Sequence, residues 1–147
     1  HLIVCLHGAG HSAMSFAALA EKLKSKNTVI AFDFRGHGHH FAENEADLSQ
    51  ASLMNETFEV LNYVEKTHKN RSIILLGHSM GGSIACKVAY KIEQEMKDHV
   101  LYKAVVALFV IDVVEGTAME ALPFMEQVIH QRPTEFRDQI SVIKYGL

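Results

Sequence analysis

One short segment near the middle of the chain matches the pattern G-x-S-x-G: Gly77, His78, Ser79, Met80 and Gly81. A serine on a sharp turn between a strand and a helix is a typical nucleophile for acyl transfer, because the turn exposes its hydroxyl. The glycines let neighbouring backbone come close, and the helix start offers free N–H groups to a developing oxyanion. The pattern arises by chance in a chain of this length about one time in twenty. An ordinary glycine-rich turn is the alternative, and the flanking elements decide between the two.

A second glycine-rich segment could supply the backbone donors that acyl transfer needs. His7, Gly8, Ala9 and Gly10 follow an apolar run, as the H-G-G-G loop of esterases does. We predict that the backbone N–H groups of Ala9 and Met80 form an oxyanion hole, and that Gly8 and Gly10 shape the loop. A phosphate-binding loop is the alternative, but neither G-x-G-x-x-G nor G-K-[ST] occurs. His7 is predicted to make structural hydrogen bonds rather than to take part in catalysis.

A carboxylate stands where the acid of a catalytic triad would be expected. Asp112 directly follows the apolar run Ala104–Ile111, downstream of Ser79 in the chain. The carboxyl ends of buried parallel strands face the crevice where ligands bind. A carboxylate there could fix the tautomer of a histidine and stabilise its imidazolium form. Glu115 is an alternative acid, and a helix cap or turn residue is the alternative role for Asp112.

The histidine of a triad has no good match in the sequence. Of the 10 histidines, only His130 follows Asp112, and it lies in a helical pattern where a solvated helix-end residue is the simpler interpretation. A serine hydroxyl without a base is a poor nucleophile. We therefore expect the catalytic histidine to be absent from these 147 residues, and negligible turnover from them alone.

A polar loop follows the second apolar run. In the segment Asp33–Gly38 the simplest interpretation is a solvated loop in which Asp33 pairs with Arg35 and keeps the loop near the site. Three histidines cluster in and just after this loop, at 37, 39 and 40. A flexible loop offers metal ligands without a fixed geometry, so no metal site is predicted.

Short apolar runs alternate with helical patterns along the first two thirds of the chain. The runs are continuous rather than alternating, which is typical of strands buried on both faces of a parallel sheet. The order predicts an α/β fold, a mostly parallel sheet flanked by helices, and places Ser79 between a strand and a helix. The predicted strands are Leu2–Leu6, Thr28–Phe32, Ser72–Leu76 and Ala104–Ile111, and the predicted helices are centred on Phe16–Leu23 (capped by Ser12), Met54–Leu61 (capped by Ser49) and Ala85–Met96.

The last third of the chain has a different pattern. We predict a core of βαβ units over 1–112 and a helical, lid-like segment over 113–147. One helix begins either at Pro123 and runs to about Gln131, which we prefer because proline fits a first helical turn, or at the capping box Thr117–Glu120. A further helix is predicted from Pro133, with three apolar residues on one face: Phe136, Ile140 and Ile143.

Composition narrows the functional classes. Hydrophobic residues make up 48% and charged residues 21% of the chain, which is typical of globular proteins. The net charge of −3 and the lack of a basic stripe argue against nucleic acid as a partner, and no apolar run is long enough to span a membrane. Cys5 and Cys86 are predicted to be reduced core residues, which favours an intracellular setting. The strongly apolar start of the chain suggests a piece of a longer protein.

Several segments together resemble the protein phosphatase methylesterases, which are members of the α/β-hydrolase superfamily. The resemblance covers essentially the whole chain, and its most specific part is Val110–Met119. It departs from the family in Ala9, which replaces a glycine, in a longer stretch at Lys91–Val100 and in Pro123. The other segments that carry it are Gly77–Gly82, His7–Ala13, Asp33–Gly38, Glu45–Ser49, Arg132–Pro133, Phe136 and Ile143.

The resemblance implies an α/β-hydrolase that removes the methyl ester from the C-terminal leucine of the protein phosphatase 2A catalytic subunit, releasing methanol without a cofactor. It assigns Ser79 as nucleophile, Asp112 as triad acid, and Ala9 and Met80 as oxyanion donors. The family's histidine follows further strands and has no match here, so the chain would be a central part of the domain. The alternatives are an esterase or lipase for small esters, and a catalytically dead module that binds the phosphatase. The family also implies a cytoplasmic or nuclear location.

Overall fold

The chain forms two compact units, His1–Val113 and Val114–Leu147. The computed structural model describes residues 1–113, 124, 127, 130, 131, 133 and 135–145.

The first unit is built on a four-stranded parallel sheet. Its strands are β1 (Leu2–Leu6), β2 (Thr28–Ala31), β3 (Ile73–His78) and β4 (Val105–Ile111), in the order β2-β1-β3-β4. Every neighbouring pair is parallel, so helices and loops carry the chain back after each strand. The predicted α/β fold class is confirmed; β1 has the predicted bounds, and the ends of the other strands differ from the prediction by at most two residues.

Helices connect the strands of this sheet. A 3₁₀ turn (Ala13–Phe16) and α1 (Ala17–Leu23) follow β1, α2 (Gln50–Thr67) follows β2, and α3 (Met80–Glu95) with α4 (Val100–Ala104) follows β3. Ser49 caps α2 as predicted, since its side chain accepts a hydrogen bond from the Ser52 N–H. The cap predicted at Ser12 is wrong: the chain enters a 3₁₀ turn there, and the Ser12 side chain makes no capping bond. Among the described residues, no helix has both the length and the apolar character needed to cross a bilayer.

The core lies on both faces of the sheet, as the continuous apolar runs predict. Alternate residues of β1 point to opposite faces. Leu2, Val4 and Leu6 pack with α2 and α3, whereas Ile3 and Cys5 pack with the 3₁₀ turn and α1. A fully buried Leu or Val contributes roughly 1.5–3 kcal/mol relative to an exposed one. Burial on both faces therefore fixes β1 at the centre, and with it the loop that follows it.

Strand β4 departs from the predicted burial. Val106 is 54% exposed and Phe109 is 57% exposed, although the sequence pattern predicts that both faces are covered. Within residues 1–113, β4 is an edge strand that pairs on one side only, with β3. A continuous apolar run indicates a strand that can be buried, but its neighbours determine whether it is.

The two cysteines have different surroundings. Cys5 is fully buried in β1, and burial raises the pKa of its thiol to about 11. Cys86 is exposed on α3, so the prediction that both are core residues is wrong for Cys86. The buried face of α3 carries Ile84, Val88 and Ile92, and position 86 falls on the opposite side of the helix.

The second unit contains α5 (Gln139–Tyr145), which begins later than predicted. Pro133 and Phe136 are not helical. The helix begins after Asp138 because the carboxylate of this residue accepts hydrogen bonds from the N–H and the hydroxyl of Ser141, both at 2.8 Å.

The preceding helix of the second unit is described only in part. Phe124, Gln127 and His130 are helical, as predicted. The capping box Thr117–Glu120, Glu115 and Pro123 lie outside the described residues. The lid-like role of this unit stays a prediction.

Candidate active site

Ser79 lies on a strained turn between β3 and α3. Its backbone angles are φ 52° and ψ −117°. This is the first central position of a type II′ turn, which glycine normally occupies, so a serine here costs conformational energy. Ser79 precedes the first residue of α3, yet its side chain makes no capping hydrogen bond. The Ser79 hydroxyl therefore does not cap the helix, and a hydroxyl that acts as a nucleophile must not be engaged in this way.

The glycines around Ser79 are needed for close packing of backbone on backbone. A Cβ at Gly81 would collide with the carbonyl oxygens of Leu6 and His7, at the end of β1. A Cβ at Gly77 would collide with the backbone of Gly81. The start of α3 therefore rests directly on the end of β1, which explains both glycines of the motif.

The loop after β1 reaches the same place. Gly8 is buried, and a Cβ there would lie 3.2 Å from the Cβ of Ser79. Gly10 has a φ of 72°, a conformation that favours glycine. The N–H of Met80 stands in the first turn of α3, where the helix itself offers no acceptor. These positions are compatible with an oxyanion hole at Ala9 and Met80, whose role stays a prediction.

His7 is a structural residue, as the sequence predicts. Its ring is fully buried. Nε2 accepts a hydrogen bond from the Phe34 N–H at 3.0 Å, and Nδ1 lies 2.8 Å from the Gly8 oxygen. These partners require a proton on Nδ1 and none on Nε2. Burial lowers the pKa of His7, which keeps this neutral form and joins the loops that follow β1 and β2.

Asp112 stands beside Ser79 at the end of β4. The register pairs Gly77 with Val110 and His78 with Ile111, and the Ser79 N–H donates to the Ile111 oxygen at 2.9 Å. The structure therefore brings the predicted nucleophile and acid to one edge of the sheet. The Asp112 side chain is 72% exposed and has a φ of 53°. Its role as the triad acid stays a prediction.

One histidine lies close to this carboxylate, and a second histidine packs on the first. The Nε2 of His78 is 3.9 Å from an oxygen of Asp112, and the ring of His11 packs on His78 with centroids 5.4 Å apart. The motifs place His78 beside Ser79, but the sequence gives no sign that His11 would reach it across two loops. His130 is an exposed helical residue of the second unit.

The pairing predicted in the loop after β2 is wrong. Asp33 does not pair with Arg35; it accepts hydrogen bonds from the backbone N–H groups of Ala13 (2.6 Å) and His39 (2.9 Å). These donors lower the pKa of Asp33. Arg35 instead reaches Glu56 of α2, with 2.6 Å between Nε and Oε1. Glu56 is the better partner because its carboxylate is only 10% exposed, and solvent screens a partly buried ion pair less than an exposed one.

The histidines of this loop form no metal site among the described residues. No group of three or more His, Cys, Asp or Glu side chains there has the arrangement to bind a metal ion. A cavity of about 310 Å³ lies next to this loop, lined by Phe32, Asp33, His39, His40, Glu56, Glu59 and Val60.

Comparison with known sequences agrees with this geometry. A family model described as serine aminopeptidase, S33 (Hydrolase_4) matches residues 1–142. The chain belongs to this hydrolase family. The chain is also similar to the solved structure of E-2-(acetamidomethylene)succinate hydrolase, with a TM-score of 0.76 and 24% sequence identity. The match covers 98% of this chain and 48% of that one. At this identity the likeness shows the fold alone.

Curated relatives of this chain carry the family name that the resemblance implies. The chain is 41% identical to protein phosphatase methylesterase 1 of Schizosaccharomyces pombe, over 99% of this chain and 42% of that protein. It is 35% identical to the Bos taurus protein of the same name, over 99% of this chain and 37% of that protein. The resemblance is therefore confirmed, and the chain spans about two fifths of the length of these curated relatives.

Proposed function

We propose that this chain is the nucleophile-bearing part of a serine carboxylesterase that removes the methyl ester from the C-terminal leucine of the protein phosphatase 2A catalytic subunit. The observation that carries the proposal is the strained Ser79, tied through its N–H to the end of the strand that bears Asp112. The names of the relatives support a protein phosphatase as the substrate, since each is called a protein phosphatase methylesterase. The C-terminal leucine of the 2A catalytic subunit is what the sequence resemblance implies.

The first step is formation of an acyl-enzyme. The Oγ of Ser79 attacks the ester carbonyl carbon, and its proton passes to a histidine base. The N–H groups of Ala9 and Met80 stabilise the negative charge that develops on the carbonyl oxygen. The bond to the methoxy group then breaks, and the methoxy oxygen takes the proton from the histidine and leaves as methanol.

The second step returns the enzyme to its starting state. Water attacks the acyl carbonyl carbon and gives a proton to the histidine, and the bond to the Ser79 Oγ breaks as that oxygen takes the proton back. The phosphatase leaves with a free carboxylate. Only protein groups and water are used.

The proposal needs a histidine that Asp112 can orient. We place it in the full-length protein that carries this sequence, as the resemblance implies. The two relatives are more than twice as long as the region that this chain matches, which leaves room for it. The carboxylate of Asp112 would fix the tautomer of that histidine and stabilise its charged form.

The decisive experiment measures demethylation by the full-length protein. The methylated phosphatase catalytic subunit is the substrate, and released methanol and the free C-terminal carboxylate are the two readouts. Wild-type protein is expected to demethylate it, and Ser79→Ala to reduce the rate by at least about 10³-fold because the nucleophile is lost. Ser83→Ala is the matched control, since only the backbone N–H of Ser83 bonds to Ser79. Full activity in Ser79→Ala would contradict the proposed nucleophile.

The same assay separates the alternatives. Turnover of p-nitrophenyl esters without demethylation would indicate an esterase or lipase for small esters. Release of N-terminal residues from peptides would instead follow the description of the family, serine aminopeptidase. Tight binding of the phosphatase without any turnover would indicate a catalytically dead binding module. The proposed partner is the phosphatase tail, and the proposed location is the cytoplasm or nucleus.

A further inference from the structure

The turn that carries Asp112 rests on a glycine outside the G-x-S-x-G motif. Gly82 is buried in the first turn of α3. A Cβ at this position would lie 2.5 Å from the Cγ2 of Val113 and 3.2 Å from the Cγ1 of Val110. It would also lie 3.1 Å from the Gly77 oxygen. Both valines flank Asp112 in the sequence, so α3 touches the acid-bearing turn on either side.

This contact requires a break in the strand. Side chains alternate between the two faces of a strand, so residues three apart point to opposite faces. Val110 and Val113 nevertheless both reach Gly82. Asp112 provides the break with its φ of 53°, a left-handed conformation that aspartate tolerates better than most residues. The packing of Val113 on Gly82 therefore depends on the left-handed conformation of Asp112.

We infer that Gly82 and Val113 are positioning residues, which set the direction of the Asp112 carboxylate relative to Ser79. They act through the backbone of the turn and touch no reacting atom. The Ser79 N–H bond to the Ile111 oxygen fixes one end of the turn, and Val113 seated on Gly82 fixes the other. The inference rests on the proposed function, because it assigns these residues to the acid of that site.

The test is a rescue experiment in the full-length protein, with p-nitrophenyl acetate as substrate. In Gly82→Ala the new methyl group displaces Val113, and kcat is expected to fall by roughly 10- to 100-fold, the scale of an error of about 1 Å in a catalytic group. KM is expected to stay nearly unchanged, because the acid does not bind the ester. Alanine has a higher helix propensity than glycine, so a loss of activity is not expected to come from a less stable α3.

The second variant removes the atom that collides. Gly82→Ala combined with Val113→Ala is expected to recover most of the lost kcat, since the Cγ2 at 2.5 Å is gone. Val106→Ala is the matched control: it removes the same two methyl groups from an exposed valine elsewhere on β4. Gly82→Ala combined with Val106→Ala is expected to stay as slow as Gly82→Ala alone.

Two results would overturn the inference. One is a Gly82→Ala protein with wild-type kcat, and the other is equal rescue by Val106→Ala and Val113→Ala. The substrate proposal fails differently: wild-type protein would hydrolyse p-nitrophenyl acetate and leave the methylated phosphatase untouched. The small ester thus reports on the positioning of the acid, and the phosphatase reports on the identity of the substrate.

Discussion

The chain leaves β3 and β2 at the same edge of the sheet, but the two loops keep their shapes by different means. After β3 the shape comes from backbone packed on backbone: Gly77 and Gly81 leave no room for a side chain, and Ser79 is strained. After β2 it comes from polar side chains, with Asp33 bonded to two backbone N–H groups and Arg35 paired with Glu56.

The loop after β3 places a residue accurately, whereas the side chains of the loop after β2 only support the loop. Close backbone contact leaves little freedom for small shifts, so it suits a residue whose atoms must meet a substrate within about 0.5 Å. Charged side chains hold a loop less tightly, and their contribution depends on pH and on burial. The loop after β3 is therefore expected to be intolerant of volume, and the loop after β2 intolerant of lost charge. Four predictions test this comparison.

The largest effect is expected from added volume at the turn after β3. Gly81→Ala should destabilise the protein by about 3 kcal/mol, because its Cβ meets the carbonyl oxygens of Leu6 and His7 and backbone cannot move aside cheaply. Urea denaturation measures the change. Gly10→Ala is the matched control: its φ of 72° costs roughly 1–2 kcal/mol, but among the described residues, apart from its chain neighbours, no atom lies within 4 Å of the new Cβ. Equal losses of stability in Gly81→Ala and Gly10→Ala would contradict the role of backbone packing.

Loss of the buried carboxylate should be next in size. Glu56→Ala should destabilise the protein by about 2 kcal/mol, because the guanidinium of Arg35, 19% exposed, loses its near partner. Lys24→Ala removes the exposed ion pair with Glu21 and serves as the control, with an expected cost of at most about 0.5 kcal/mol. Thermal unfolding of the two variants compares them directly. If Glu56→Ala costs no more than Lys24→Ala, ion pairing does not hold this loop.

A smaller effect should reveal the strain at Ser79. Ser79→Gly should be more stable than Ser79→Ala by about 1 kcal/mol, because glycine accepts the φ of 52° and alanine keeps the unfavourable Cβ. Both variants lack the hydroxyl, so their difference isolates the backbone. Chemical denaturation of the pair gives the value. A less stable glycine variant would show that the turn is not strained.

The smallest effect concerns pH. The folded pKa of Asp33 lies below its usual value of 3.8, because the N–H groups of Ala13 and His39 bond to its charged form. Its contribution to stability is therefore fully present above about pH 5 and is lost as the pH falls through the folded pKa. Wild-type protein should lose more stability on acidification than Asp33→Asn, as followed by circular dichroism. The control is Asp98→Asn at an exposed position, which should behave like wild type.

Much of the fold and part of the site could be predicted from the sequence. The apolar runs predict the strands, because burial on both faces demands consecutive apolar residues. The glycine spacing predicts the turn at Ser79, because only glycine allows such close approach. The sequence pattern does not indicate the exposed position of Cys86 or the late start of α5, since one depends on the phase of a helix and the other on the cap at Asp138.

Local pattern, by itself, determined the order of elements, the turn at Ser79 and the family resemblance, because each depends on residues close together in the chain. The tertiary structure decided which distant groups meet. It paired Arg35 with Glu56 rather than Asp33, brought the His11 ring to His78, and seated Val113 on Gly82. Such contacts depend on strand order and register, which bring together residues far apart in the sequence. A local sequence pattern does not contain this information.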